Sequence, residues 1–96
     1  MEYTFASKIW IFGGEGAWHF ANLPKDISAE IKQITSQSKN AFGSVKVLAN
    51  INKSSWQTSL FPDSKSQCYV LPIKKQIRES EGLSVDQAIT VKIKLA

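Results

Sequence analysis

Three cations crowd one short segment. Lys74, Lys75 and Arg78 fall within LPIKKQIRES, residues 71–80. If the segment turns helical, Lys75 and Arg78 stand at i and i+3 and share a face, as an anion site would require. Lys74 and Lys75 would occupy the first turn, with Glu79 and Glu81 near the far end, so these charges run against the helix macrodipole. Such a pattern either marks a site for an anion or a nucleic-acid phosphate, or is a solvated face with local salt bridges. Lys53, in an Asn-Lys-Ser turn, is a further candidate phosphate contact. Trp18, His19 and Trp56 are candidates for lining a pocket. Indole rings, Trp10 included, can wall a cavity or stack on bases, or simply fill a small core.

Catalytic chemistry finds less support. His19 has no carboxylate or nucleophile beside it in sequence, so it reads as a strand histidine before it reads as a general base. Cys68, next to Tyr69, reads as a small buried hydrophobe. GGEG lacks the Gly-Lys-Ser/Thr ending of a phosphate loop and leads into a strand. One His and one Cys in the whole chain do not make a zinc site. No catalytic residue, metal ligand or cofactor is assigned, and the balance leans away from an enzyme.

The elements that must position these residues follow from 96 amino acids, enough for a single domain spanning 1–96. The apolar fraction is 43% and the charged fraction 21%, ordinary values for a soluble protein. The formal charge of +4 is mildly basic and spread along the chain, compatible with nucleic acid, an acidic partner or plain solubility. A lone cysteine forbids an intrachain disulfide and suits a reducing compartment. The apolar run Ile9–Phe12 is too short for a signal core or a membrane span, so the chain reads as cytoplasmic, with no membrane contact.

EYTFASKIWIF reads as a strand, GGEG as a turn and AWHFANL as the returning strand. Pro24 ends that strand, and Asp26 reads as the N-cap of a helix carrying Ile27, Ile31 and Ile34 on one stripe. The helix fades in TSQSKN. SVKVLANI and WQTSLF alternate as strands, PDSKS reads as a turn, and QCYVL is a strand stopped by Pro72. A short helix follows, with Gly82 at C′ and Leu83 packing back on Ile77. AITVKIKL closes the chain as a half-buried strand. The order is ββαβ twice, with Leu23-Pro24 recurring as Leu71-Pro72. We therefore expect a mainly β fold with two short helices: a six-stranded β-barrel, or pseudo-barrel, of two ββαβ halves related by a pseudo-two-fold, a pseudo-dimer in one chain.

AWHFANLPKDISAEI, SVKVLANINKSSWQTSLFP and YVLPIKKQIRESEGL together resemble the bacterial and archaeal family known as domain of unknown function 1905, from Phe5 to Leu95. The resemblance implies a double-split β-barrel and carries no established activity. Some relatives are fused to a domain associated with bacteriocin protection, which implies a fused or separate protein partner. The chain departs from the family at Asn52-Lys53-Ser54, where a turn glycine is usual, and at Val85-Asp86, where Gly-Asp is usual. LPIKKQIRESEGLSVDQAITV resembles, more distantly, the swapped-hairpin barrels of AbrB- and MazE-type DNA-binding regulators. The function expected is a non-catalytic module binding a small ligand or a protein. The alternative is a nucleic-acid-binding protein using Lys53, Lys74, Lys75 and Arg78.

Overall fold

A computed structural model describes residues 1–14, 17–36 and 43–96. The part of the GGEG turn at 15–16 and the TSQSKN stretch from residue 37 lie outside the described residues. The strands are β1 (Glu2–Phe12), β2 (Trp18–Asn22), β3 (Val45–Ile51), β4 (Ser54–Asp63), β5 (Cys68–Pro72) and β6 (Ala88–Leu95). The helices are α1 (Lys25–Thr35) and α2 (Lys75–Glu81).

All neighbouring strands are antiparallel, and they close in the order β1-β2-β5-β4-β3-β6. Two long strands make closure possible by changing partners partway. β1 pairs with β6 through Glu2–Lys8 and with β2 through Ile9–Phe12. β4 pairs with β3 through Ser54–Leu60 and with β5 through Phe61–Asp63. A closed sheet leaves no long edge to template pairing with another chain.

The period-2 alternation of the strands fills the barrel. Phe5 and Ile9, Val45, Val47, Ala49 and Ile51, Trp56 and Leu60, and Ile89, Val91 and Ile93 all point inward and are buried. Leu71 is fully buried on β5, whose five residues are all buried. Truncating a core leucine such as Leu60 to Ala is expected to cost about 2–5 kcal/mol.

Three local readings need correction. Asp26 is not the N-cap of α1. Pro24 is, with φ −59° and ψ 155°, and its carbonyl accepts the Ser28 amide at 2.9 Å. Proline's fixed φ and missing N–H suit a helix start, so the helix begins before Asp26 can cap it. Asp26 instead lies in the first turn, where its charge complements the dipole, and its Oδ1 accepts the Ile27 amide at 2.9 Å. Second, Ile34 is exposed, so the buried stripe of α1 ends at Ile31. Third, Pro62 and Asp63 belong to β4, opposite Tyr69 and Cys68, and the turn follows them.

The end of α2 forms as the sequence indicates. Gly82 takes the left-handed conformation at φ 63°. The Leu83 amide reaches the Arg78 carbonyl at 2.8 Å and the Gly82 amide reaches that of Glu79 at 3.4 Å, both bonds of a Schellman ending. No described helix is long and apolar enough to cross a membrane.

Candidate functional site

α2 begins where β5 ends, and this junction sets the site. The Ile73 amide still donates to the His19 carbonyl on β2 at 2.9 Å. The chain then turns into α2 with Lys74 as its N-cap residue. Lys74, Lys75 and Arg78 are thereby held beside the start of β2. Across from them stand β3 and β4. A cleft of about 820 Å³ opens between these walls.

Lys74, Lys75 and Arg78 line the cleft with Trp18, His19 and Trp56, so six residues singled out in the sequence meet in one place. Lys53 does not line it. It stands on the β3–β4 turn next to Ser54, whose hydroxyl donates to Glu81 Oε2 at the other end of α2. The sequence reading missed Lys46 and Phe61, which also line the cleft. The alternation of VKVLANI sets Lys46 outward on β3, but only the pairing of β3 with β4 brings it opposite α2.

Arg78 is the fixed cation. Its Nε donates to the Ile73 carbonyl at 3.1 Å, and its Nη1 donates to His19 Nε2 at 3.3 Å. An arginine only donates, so His19 Nε2 must be the bare acceptor nitrogen. The proton of the neutral ring then sits on Nδ1, which donates to the Ala17 carbonyl at 3.3 Å. Lys74 and Lys75 are exposed, and Lys75 pairs loosely with Glu79 at 3.8 Å across one helical turn. An exposed pair of this kind contributes well under about 1 kcal/mol. Among the described residues lining the cleft there are four cations and no Asp or Glu.

The aromatic residues divide by role. Trp56 is 6% exposed and packs into the core behind the cleft. Trp18 is 62% exposed and stacks on Phe20, with centroids 6.1 Å apart and planes 7° apart. Trp10 does not line the cleft; its Nε1 donates to Asn22 Oδ1 at 2.6 Å.

Cys68 is buried at a second cavity, under α1 and the β4–β5 turn, and its Sγ contacts the Ser66 carbonyl at 3.4 Å. His19 and Cys68 therefore line different cavities. Among the described residues no three of His, Cys, Asp and Glu converge as a metal site would require.

These features define a small closed antiparallel β-barrel domain with a cation-rich, aromatic-walled cleft at one helix. Within that class, the chain belongs to the family described as Domain of unknown function (DUF1905), whose model matches residues 5–93. A comparison with curated proteins found no match.

Proposed function

We propose that the protein is a non-catalytic binding module whose cleft receives an anionic group on a partly apolar ligand. The observation that carries this reading is the lining itself: Lys46, Lys74, Lys75 and Arg78 with no Asp or Glu side chain among the described lining residues, beside Trp18, Trp56 and Phe61. Like charges gathered with only the loose Lys75–Glu79 pair to offset them repel one another, and an anion relieves that repulsion. The cavity volume falls in the range of small-molecule sites. Binding is favoured over catalysis because both ring nitrogens of His19 are already engaged, by Ala17 and by Arg78. A lone, buried Cys68 with no intrachain disulfide partner supports a cytoplasmic location.

The two-halves reading belongs with this proposal. Exchanging β1, β2 and β3 with β4, β5 and β6 leaves the list of strand neighbours unchanged, which supports a pseudo-two-fold. The two helix-end cavities would then be counterparts, of which only one gathers cations.

Thermal unfolding in rising inorganic pyrophosphate tests the proposal. A ligand of the native state raises Tm with its concentration. A shift in the wild type that disappears in Lys74→Ala/Lys75→Ala is expected. An equal shift in the double variant would refute the cleft as the site.

A further inference from the structure

The outer face of the β1–β2 hairpin carries a row of rings of which the anion reading uses only Trp18. Phe12 lies directly opposite Trp18, and Trp10 opposite Phe20. Cross-strand partners share a face, so all four rings stand on one side. Trp18 is 62% exposed and Phe12 60% exposed, side by side at the hairpin end. Their backing is firm. Trp18 lies flat on Phe20, and Phe20 meets Trp10 with centroids 5.2 Å apart. Trp10 is in turn tied to Asn22. Trp18 also lines the cationic cleft, so the ring row and the cations form one continuous surface.

Each simpler occupant leaves part of that surface unmatched. A free phosphate leaves the rings bare. An apolar protein face would desolvate Lys74, Lys75 and Arg78 without a counter-charge. An acidic peptide answers the charge but offers no regular flat face to a supported indole. A duplex keeps its bases stacked on one another. A single strand offers both complements at once, phosphates at regular spacing and unstacked bases.

We propose that this surface binds single-stranded nucleic acid, with phosphates against Lys46, Lys74, Lys75 and Arg78 and a base stacked on Trp18. The proposal rests on the anion-cleft reading and names its ligand. The loose Lys75–Glu79 pair is exposed on both sides, so a phosphate can take the place of Glu79.

Fluorescence anisotropy with labelled oligo-dT and oligo-rU of about eight nucleotides tests it. Three or four phosphate contacts predict a binding constant that falls about 20- to 50-fold between about 50 and 200 mM salt. Trp18→Ala is expected to weaken binding about 5- to 150-fold. Trp18 is exposed, so its loss should leave the fold intact, which a circular-dichroism melt checks. Lys74→Ala/Lys75→Ala should weaken binding and flatten the salt slope. Unchanged affinity in Trp18→Ala would overturn the proposal, as would equal binding of a duplex or of poly-glutamate at the same charge. If pyrophosphate shifts Tm through the two lysines but no oligonucleotide binds, this proposal falls and the anion cleft stands. If neither probe binds at low salt, both fall.

Discussion

Arg78 Nη1 and His19 Nε2 lie 3.3 Å apart, joining α2 to the start of β2 across 59 residues of sequence. The contact assigns a proton. Because Arg78 donates, the neutral His19 ring carries its hydrogen on Nδ1 and donates it in a hydrogen bond to the Ala17 carbonyl. The imidazole thus acts as a strut that holds the guanidinium at the cleft wall. Nitrogen-15 spectra of the His19 ring should show Nδ1 protonated and Nε2 bare in the neutral form. The opposite tautomer would break this account of Arg78. Arg78→Gln, which loses the bonds to Ile73 and His19, should cost about 1–2 kcal/mol in urea unfolding.

Ser28 joins α1 to the barrel. It is a buried polar residue, and its Oγ accepts the Tyr69 amide on β5 at 3.0 Å. The Tyr69 carbonyl takes the Leu23 amide at 2.9 Å, just before the chain leaves β2 for α1. The helix therefore supplies an acceptor where the departing strand no longer does. Ser28→Ala would leave a buried N–H unpaired, at about 1–3 kcal/mol. Denaturant midpoints measure this, and Ser28→Thr, which keeps the hydroxyl, should recover part of the loss.

Gly82 and Asn52 hold positive φ for different reasons. An added Cβ at Gly82 meets nothing within 4 Å, so the cost of Gly82→Ala is backbone strain alone, about 1 kcal/mol. Asn52 has φ 53° in the β3–β4 turn, at the place where the family resemblance implies a glycine. Asn52→Ala should cost a similar amount, while Asn52→Gly should stay within about 1 kcal/mol of wild type. Near Val85-Asp86 the positive φ of 68° falls on Asp86, so the turn forms with valine in the preceding position.

Asp63 and Tyr3 each contribute to the pH dependence of stability. The Ser66 hydroxyl donates to Asp63 Oδ2 at 2.8 Å. That bond is the largest influence; burial opposes it and comes next, and the Ser66 and Lys65 amides and the Lys65 charge add to the lowering, so the Asp63 carboxyl lies below its usual range. The resulting stability is present above the unfolded value of about 3.9 and is lost as pH falls through the lower folded value. The difference between wild type and Asp63→Asn should therefore shrink on acidification. Tyr3 behaves in the opposite sense. Its buried hydroxyl makes no hydrogen bond within 3.5 Å, and burial, then the neighbouring Glu30 carboxylate, raise its pKa. That favours the fold below about 10 and is lost as pH rises further. Tyr3→Phe should remove the alkaline loss without weakening the protein at neutral pH.

The barrel was legible because strand alternation and turn chemistry are local. β6 shows this best: Ile89, Val91 and Ile93 turn inward as their spacing demands. The partner changes of β1 and β4 were less visible, since no single residue marks where a strand leaves one neighbour for another. Leu23-Pro24 and Leu71-Pro72 look alike in sequence but act differently. Pro24 caps a helix, whereas Pro72 still pairs with Phe20 as the last residue of β5. Lys74, Lys75 and Arg78 were legible as a cluster through helical spacing. That Lys46 would face them was not, because it depends on the pairing of β3 with β4, the strand that meets α2. Nor could alternation say which indole would be buried: Trp18 and Trp56 both lie on strands, and only the barrel wall separates their fates.

The most direct test of the central claim is a proton–nitrogen correlation spectrum recorded through a pyrophosphate titration. The account predicts saturable shifts confined to the cleft: the side-chain Nε–H of Arg78, the amides of Lys74, Lys75 and His19, and the indole N–H of Trp18. Shifts centred instead on the Lys92 and Lys94 face of β6, or scattered without saturation, would contradict it.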